Sequence, residues 1–405
     1  MNDPLPLTPE QELCVLFARL SLQSQESARA RFLLRKGVDW ESLIRLTNHH
    51  RIMPLAYFQM KRFQKSWNLS SSQLKPFREN FQNHGKRNKT HIQKIKKFLR
   101  LLEHENVGVV LLKGLCLIPE VFRLPALRPM SDCDLLIQRK DLKKVESLLQ
   151  KVGYQREEVS ELLFGERWLP GRRFAEILNT GTLSLFCPGD YPFKNYLCMD
   201  LHVSLFRRKN ILFEEETPNF WKRKRRANFF GIPCWRLSPS DELLFLCCHL
   251  YFHALDIETV AENADFRLMW FCDIRELLMK NPSLSLNKRR LSLPIQNAVQ
   301  FVRSSLAKIY GNQSFLERLS KSNLKNENVS NKVLWRVGEE QRETNFPVGF
   351  WERMFRTSFS GDLQSLREKI RKSQQKEFFG KLEAIGQWYG KKKVHPCMSQ
   401  GRGVQ

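Results

Sequence analysis

The sequence lacks several features that would assign it to a well-marked class of protein. No apolar run approaches the roughly 20 residues that a bilayer-spanning helix needs, and the N-terminus lacks the basic start and apolar stretch of a signal peptide. The ten cysteines include no C-x-x-C pair, which argues against a zinc ribbon or a thioredoxin-like site. We therefore expect a soluble protein of the reduced cytoplasm, with no transmembrane segment.

Acidic residues are scarce relative to basic ones. The 405 residues contain 42 Asp and Glu against 67 Lys and Arg, which gives a formal net charge of +25. Such a charge attracts polyanions, although a basic solubility surface produces the same balance. Two basic segments, residues 86–97 and 222–226, are candidates for contact with nucleic acid, the second because aromatic residues flank it. A solvated loop explains the second segment equally well.

The pattern of apolar residues divides the chain into three parts and a tail. Residues 1–106 have apolar side chains at helical spacing and predict an N-terminal helical segment. Residues 107–236 mix apolar strand-like runs with short helical patterns, and residues 237–390 are helical in pattern again. The polar residues 391–405 are expected to be disordered. The predicted fold class is α+β, with a small mixed β-sheet core flanked by helical segments.

A short stretch of the central part, residues 107–137, is the most informative. An apolar strand leads into Lys113 and Gly114, and a second strand begins with Asp132 and Asp134. Side chains at i and i+2 of a strand share a face, and two adjacent carboxylates repel unless a cation lies between them. Hard divalent cations prefer such oxygen ligands, so the pattern predicts a magnesium site. The alternative for the pair is a capping or salt-bridge role, with Arg128 as a partner.

A third carboxylate is predicted to complete this site. Asp200 lies on the polar face of a strand whose other face is apolar, where an edge strand would also tolerate an acid. His202 shares that face and is expected either to orient Asp200 or contact a nucleotide, or to lie at the surface.

Phosphate-binding residues are predicted where the first strand turns into a helix. Gly114 would let the backbone approach a phosphate, and Lys113 would add a point charge, unless it is simply a solvated lysine. Arg123 and Arg128 are candidates for holding pyrophosphate.

His249 and His253 lie at i and i+4 of a later helix, a spacing that can hold zinc. Because no third ligand is evident, a buried hydrogen-bonded pair or a pocket wall is the favoured interpretation.

The ordered motifs resemble a known family. The order L-L-K-G, L-R-P-M-S-D-C-D-L-L-I and M-D-L-H-V-S-L resembles the uncharacterised nucleotidyltransferase family of the polymerase-beta-like superfamily. The helical segments D-W-E-S-L-I-R-L-T-N-H-H-R-I-M-P-L and S-P-S-D-E-L-L-F-L-C-C-H-L-Y-F-H extend the resemblance on both sides, so that it covers residues 35–285 by motif order. The chain has Lys113-Gly114 where most members of the superfamily place Gly-Ser or Gly-Gly.

The resemblance implies a small mixed sheet with a Mg²⁺-dependent nucleotidyl-transfer site, with metal roles on Asp132, Asp134 and Asp200. The expected reaction moves a nucleoside monophosphate from a nucleoside triphosphate to an acceptor hydroxyl and releases pyrophosphate, with two Mg²⁺ ions. The acceptor is left open among a protein hydroxyl, a metabolite, a sugar and an RNA end. The alternative is a non-catalytic, basic nucleic-acid-binding or regulatory protein on the same fold.

Overall fold

The computed structural model describes residues 7–155, 182–206, 217–286, 291–319, 332–337, 340–346, 348–356 and 364–372. The helices are Pro9–Phe17, Ser24–Lys36, Trp40–His49, Met53–Arg62, Gln64–Trp67, Ser71–His104, Gly114–Leu117, Leu142–Lys151, Thr217–Lys222, Pro239–Leu255, Ile257–Ala261, Leu268–Lys280, Leu293–Tyr310, Phe350–Phe355 and residues 364–372. The strands are β1 Val110–Leu111, β2 Asp132–Leu136, β3 Thr182–Pro188, β4 Tyr196–His202, β5 Arg225–Phe229, β6 Ile232–Arg236, β7 Lys332–Val337 and β8 Glu340–Asn345.

The long helix Ser71–His104 connects the N-terminal helices to the sheet. Ser70 begins it with a capping box, in which its hydroxyl accepts from the Gln73 backbone N–H. Near the start of the helix, Phe77 packs among the N-terminal helices, whereas Ile95 and Phe98 belong to the apolar core beneath the sheet. A boundary at residue 106 stays a prediction, since this helix takes part in both cores.

A six-stranded mixed sheet forms the centre of the fold. Its strand order is β3-β4-β2-β1-β6-β5. Strands β2 and β4 run parallel, as do β1 and β6, while the remaining neighbours are antiparallel. The predicted α+β class with a small mixed sheet flanked by helices is therefore confirmed.

The two faces of the sheet have different partners. Alternate residues such as Leu135 and Met199 pack on one face against the second half of Ser71–His104 and against the helix Leu142–Lys151. On the other face, Leu136 joins the core formed with the C-terminal helices. Asp134 lies two residues before Leu136 in β2, and so shares its face of the sheet. Asp200 is the residue of β4 that pairs with Asp134, so it lies on the same face. The site thus opens between the sheet and the C-terminal helices.

The C-terminal helices supply the opposite wall. Pro239–Leu255 is buried over most of its length and packs with Leu268–Lys280 and Leu293–Tyr310 in the larger apolar core. Ser238 caps the first of these helices, and its hydroxyl accepts from the Asp241 backbone N–H, which agrees with the predicted start.

Some elements differ from their sequence-based prediction. The apolar run 107–112 forms a strand only at Val110 and Leu111; the Leu112 N–H still donates to the Asp134 carbonyl, and a positive φ at Lys113 then turns the chain. The segment 222–226 spans the end of a short helix and the start of edge strand β5 rather than a single loop. The tail 391–405 lies outside the described residues. Among the helices that the structure describes, none is both long and apolar enough to span a membrane.

Candidate active site

Strands β2 and β4 bring three carboxylates together. In the parallel register Asp134 lies opposite Asp200, and Asp132 precedes Asp134 by two residues on the same face. One ligand oxygen from each carboxylate lies within 4.8 Å of the other two. The sequence-predicted residues Asp132, Asp134 and Asp200 therefore converge at one point on the sheet.

Asp134 is buried and receives two hydrogen bonds on one oxygen. Lys113 Nζ donates to its Oδ1 at 2.7 Å, and His202 Nε2 donates to the same atom at 2.8 Å. Burial alone would raise the pKa of Asp134, but the Lys113 ammonium and the His202 imidazole lower it below its ordinary value. Thr182 Oγ1, 3.2 Å from His202 Nδ1, orients the ring. Asp134 is accordingly ionised at any physiological pH.

Asp200 has a different environment. The Ser184 hydroxyl donates to its Oδ1 at 2.6 Å, and Cys198 Sγ lies 3.4 Å from the same oxygen. Burial, followed by the charges of Asp132 and Asp134, raises the pKa of Asp200 to about 6. This carboxylate can therefore exchange a proton near neutral pH.

Asp132 is linked to the N-terminal helices through a short hydrogen-bond chain. Ser131 Oγ donates to Asp132 Oδ1 at 3.0 Å, and Arg51 Nη1 donates to Ser131 Oγ at 3.0 Å. Arg51 occupies the turn between the helices Trp40–His49 and Met53–Arg62, where its φ is 57°. That turn carries its side chain into the site.

Lys113 and Gly114 lie at the exit of β1, as predicted, but each has a close protein neighbour. Lys113 has φ 48° and ψ −121°, an uncommon conformation for a residue with a side chain, and its ammonium pairs with Asp134. A Cβ at position 114 would lie 2.5 Å from Arg128 Nη1 and 2.8 Å from Met130 Sδ. Packing alone thus explains the glycine, and the phosphate roles of both residues stay predictions.

Arg128 forms a buried ion pair with a residue of the helix Leu268–Lys280. Its Nε and Nη2 donate to the two carboxylate oxygens of Asp273 at 3.2 and 2.8 Å. This two-point contact joins the segment before β2 to the C-terminal helices. The guanidinium for which the sequence predicts phosphate binding therefore already has a protein carboxylate as its partner. Arg123 is exposed and lies outside the lining of the cavity at the carboxylates.

A cavity of about 530 Å³ opens over the three carboxylates. Arg51 of the N-terminal helices, Lys113 at the exit of β1 and Arg128 of the segment before β2 line it. Arg267 and Trp270 line it from the C-terminal part of the chain. Its volume falls within the range of about 300–1,000 Å³ that is typical of small-molecule sites.

A comparison of the sequence with profiles of protein families identifies the family of this chain. The profile of a family described as uncharacterised nucleotidyltransferase matches residues 36–310, which is more than half of the chain and contains all three carboxylates. The chain belongs to this nucleotidyltransferase family. No curated protein and no solved structure matches it. The resemblance inferred from the motifs is confirmed, and nucleotidyl transfer is the general class of activity that membership supports.

His249 and His253 lie in the cavity wall. Their Nε2 atoms are 3.2 Å apart, and His253 Nδ1 lies 3.3 Å from Thr259 Oγ1. The His253 ring packs against Trp270 with centroids 4.6 Å apart. Within the part of the chain that the structure describes, no third side chain joins the two histidines as a metal ligand. The arrangement matches a hydrogen-bonded pair in a pocket wall.

Part of the charge in the two basic segments has structural contacts. Arg87 of segment 86–97 is buried and donates to the backbone carbonyl of Tyr196 at 2.8 Å. In the second segment, Lys224 and Arg226 lie over the ring of Trp235, at 4.9 and 4.1 Å from its centroid. Binding of nucleic acid by these segments stays a prediction.

Sequence reasoning missed two arginines of the cavity, Arg51 and Arg267, and the partner of Arg128. Arg51 lies within a segment that carries the family resemblance. The only sequence signal for its place in the site is its position shortly before Pro54, where a helix is expected to be interrupted. Nothing in the sequence near Asp273 indicates a partner 145 positions away.

Proposed function

We propose that the protein transfers a nucleoside monophosphate from a nucleoside triphosphate to an acceptor hydroxyl, with Mg²⁺ and with release of pyrophosphate. The observation that carries the proposal is the convergence of Asp132, Asp134 and Asp200 in one cavity. Family membership supplies the class of chemistry.

The three carboxylates fit a magnesium site. Lys113 and His202 both contact Asp134, and among the described residues neither Asp132 nor Asp200 has a cationic partner within salt-bridge distance. Clustered, partly uncompensated carboxylate oxygens are the donors that Mg²⁺ prefers. When bound, Mg²⁺ would neutralise phosphate charge and lower the pKa of an attacking hydroxyl. We expect two ions, as in other two-metal phosphoryl-transfer sites.

The residues have separate roles in this proposal. Asp132 and Asp134 would hold both ions, and Lys113 and His202 keep Asp134 ionised and fixed in orientation. Asp200 would hold the ion on the side of the acceptor and help to deprotonate the acceptor hydroxyl. In the metal-free site, burial and the charges of Asp132 and Asp134 raise its pKa to about 6.

A cytoplasmic location is part of the proposal. The nine cysteines that the structure describes are all buried, and none of them forms a disulfide with another of the nine, which suits a reducing compartment.

The test is incubation of the purified protein with each α-labelled nucleoside triphosphate and Mg²⁺. Label would be sought on the protein, on added RNA and on small acceptors, together with release of pyrophosphate. Replacing Asp132 and Asp134 by Asn should abolish transfer while circular dichroism and the melting temperature report an intact fold. Full transfer by that double variant would contradict the assignment.

The net charge of +25 favours a second candidate, a non-catalytic protein that binds nucleic acid. Such binding would weaken steeply with salt and would be insensitive to the Asp132 and Asp134 changes. Metal-dependent nucleotide binding that disappears with these changes would instead favour the enzyme.

A further inference from the structure

Arg51 and Arg267 are two cavity-lining arginines without an acidic partner. Within the described residues, no carboxylate lies within salt-bridge distance of either guanidinium, and both side chains are partly buried. Arg51 donates to Ser131 Oγ, and Arg267 donates to the backbone carbonyl of His49. Both acceptors are neutral. Asp132 attracts Arg51 and Asp265 attracts Arg267 without a direct ion pair, yet burial outweighs this attraction and the pKa of each guanidinium is lowered, so the two charges are only partly compensated.

The positive potential around Arg51 and Arg267 lowers the pKa values of neighbouring basic groups. Burial, followed by repulsion from Arg51, lowers the pKa of Arg267 to about 10. Burial and then Arg267 are the largest causes that lower the pKa of His49, to about 3, and burial followed by Arg51 lowers the pKa of His84 to about 4. The two histidines are therefore neutral at physiological pH and add no further positive charge beside the arginines.

Other cations of the cavity are already paired. Lys113 pairs with Asp134, and Arg128 pairs through two hydrogen bonds with Asp273. The charges of Lys113 and Arg128 are therefore already offset within the protein, whereas among the described residues neither Arg51 nor Arg267 has a carboxylate within salt-bridge distance.

We propose that Arg51 and Arg267 bind the β- and γ-phosphates of the nucleoside triphosphate, the part that leaves as pyrophosphate. The identity of this anion rests on the proposed function. The chain from Arg51 through Ser131 to Asp132 places the phosphate-binding side next to the carboxylates, so one bound triphosphate can reach both. Guanidinium groups match phosphate oxygens in a two-point geometry, which suits a polyphosphate tail.

The experiment measures binding of inorganic tripolyphosphate by isothermal titration in EDTA, so that no metal takes part. Arg51→Met and Arg267→Met should each weaken binding by about 10- to 100-fold, the loss expected for a charge-assisted contact. Arg45→Met is the matched control, because Arg45 is exposed on the helix Trp40–His49. This substitution removes the same charge outside the cavity. It should bind tripolyphosphate like the wild type.

A nucleoside monophosphate provides the second arm. Its affinity should change less than about threefold in the arginine variants, since it lacks the β- and γ-phosphates. An equal loss for monophosphate and tripolyphosphate would assign the arginines to the α-phosphate and overturn the proposal. Unchanged tripolyphosphate binding in Arg51→Met would overturn it as well, and this variant decides the question if Arg267→Met does not fold.

Failure of the proposed function is distinguishable. The double variant Asp132→Asn and Asp134→Asn should still bind tripolyphosphate in EDTA through the arginines. If no nucleotidyl transfer is found but tripolyphosphate binding depends on Arg51, the proposed function fails and the anion site stands. If transfer is found and Arg51→Met leaves both tripolyphosphate affinity and the KM for the triphosphate unchanged, only the anion site fails.

Discussion

Asp134 and Asp200 lie opposite each other on parallel strands, and their surroundings shift their pKa values in opposite directions. Lys113 and His202 lower the pKa of Asp134 despite its burial, whereas burial and the two neighbouring carboxylates raise the pKa of Asp200 to about 6. Two carboxylates that differ in this way can serve different purposes, one as a permanent anion and the other as a proton acceptor.

The raised pKa of Asp200 predicts a pH-dependent stability in metal-free protein. Between its unfolded value of about 3.8 and its folded value of about 6, the folded state binds more protons than the unfolded state, so stability falls as pH rises. The loss attributable to this group is up to about 3 kcal/mol, complete above about pH 6. Urea unfolding from pH 4 to 7 should show it in the wild type and not in Asp200→Asn. Parallel curves for the two proteins would contradict the prediction.

Magnesium should oppose this loss. Because the cation and the proton compete for Asp200, added Mg²⁺ should raise the melting temperature more at pH 7.5 than at pH 5.5. Differential scanning fluorimetry with and without Mg²⁺ measures the difference, and Asp134→Asn should reduce the shift at both pH values. Ser66→Ala, a change in an exposed hydroxyl far along the chain from the site, serves as the control. A shift that is the same at both pH values would count against a role for Asp200 in holding the ion.

Removal of the Lys113 ammonium should destabilise the protein. Lys113→Met leaves Asp134 buried with His202 as its remaining partner, and breaking a buried pair on one side typically costs about 3–5 kcal/mol. The exposed Lys97→Met is the matched control and should change stability by less than about 0.5 kcal/mol. Urea unfolding at pH 7 compares the two. Equal stability of both variants would show that the pair contributes nothing at this position.

Gly114→Ala tests the packing explanation of the glycine. The new Cβ would overlap Arg128 and Met130, so we expect a loss of about 1–3 kcal/mol. Gly108→Ala is the control, because a Cβ there would meet Trp221 only at an ordinary 3.7 Å. Thermal unfolding of both variants measures the difference. A Gly114→Ala protein as stable as Gly108→Ala, but with weaker binding of triphosphate, would instead favour the predicted phosphate contact.

The sequence predicted those parts of the site that depend on local periodicity. The two-residue repeat of a strand placed Asp132 and Asp134 on one face, and the same repeat separated Asp200 and His202 from the apolar residues of β4. The register between the strands is not local information, so the sequence could name Asp200 as the third carboxylate only from its place on a polar strand face and from the family resemblance.

Contacts between distant segments could not be predicted in the same way. Whether Arg128 binds phosphate or a protein carboxylate depends on how the helix Leu268–Lys280 packs against the sheet, which no local pattern specifies. The position of Arg51 depends on a turn with positive φ at a residue other than glycine, for which the sequence carries only a weak signal. Strand β5 is not recognisable from the sequence, because it is a basic edge strand with little apolar alternation.

The most direct test of the central claim is the anomalous scattering of Mn²⁺, used in place of Mg²⁺, in crystals grown with a non-hydrolysable nucleoside triphosphate. We predict peaks bounded by the carboxylates of Asp132, Asp134 and Asp200, with the triphosphate on the same side of the sheet. A map in which the nucleotide is bound but no metal lies among these three carboxylates would contradict the account.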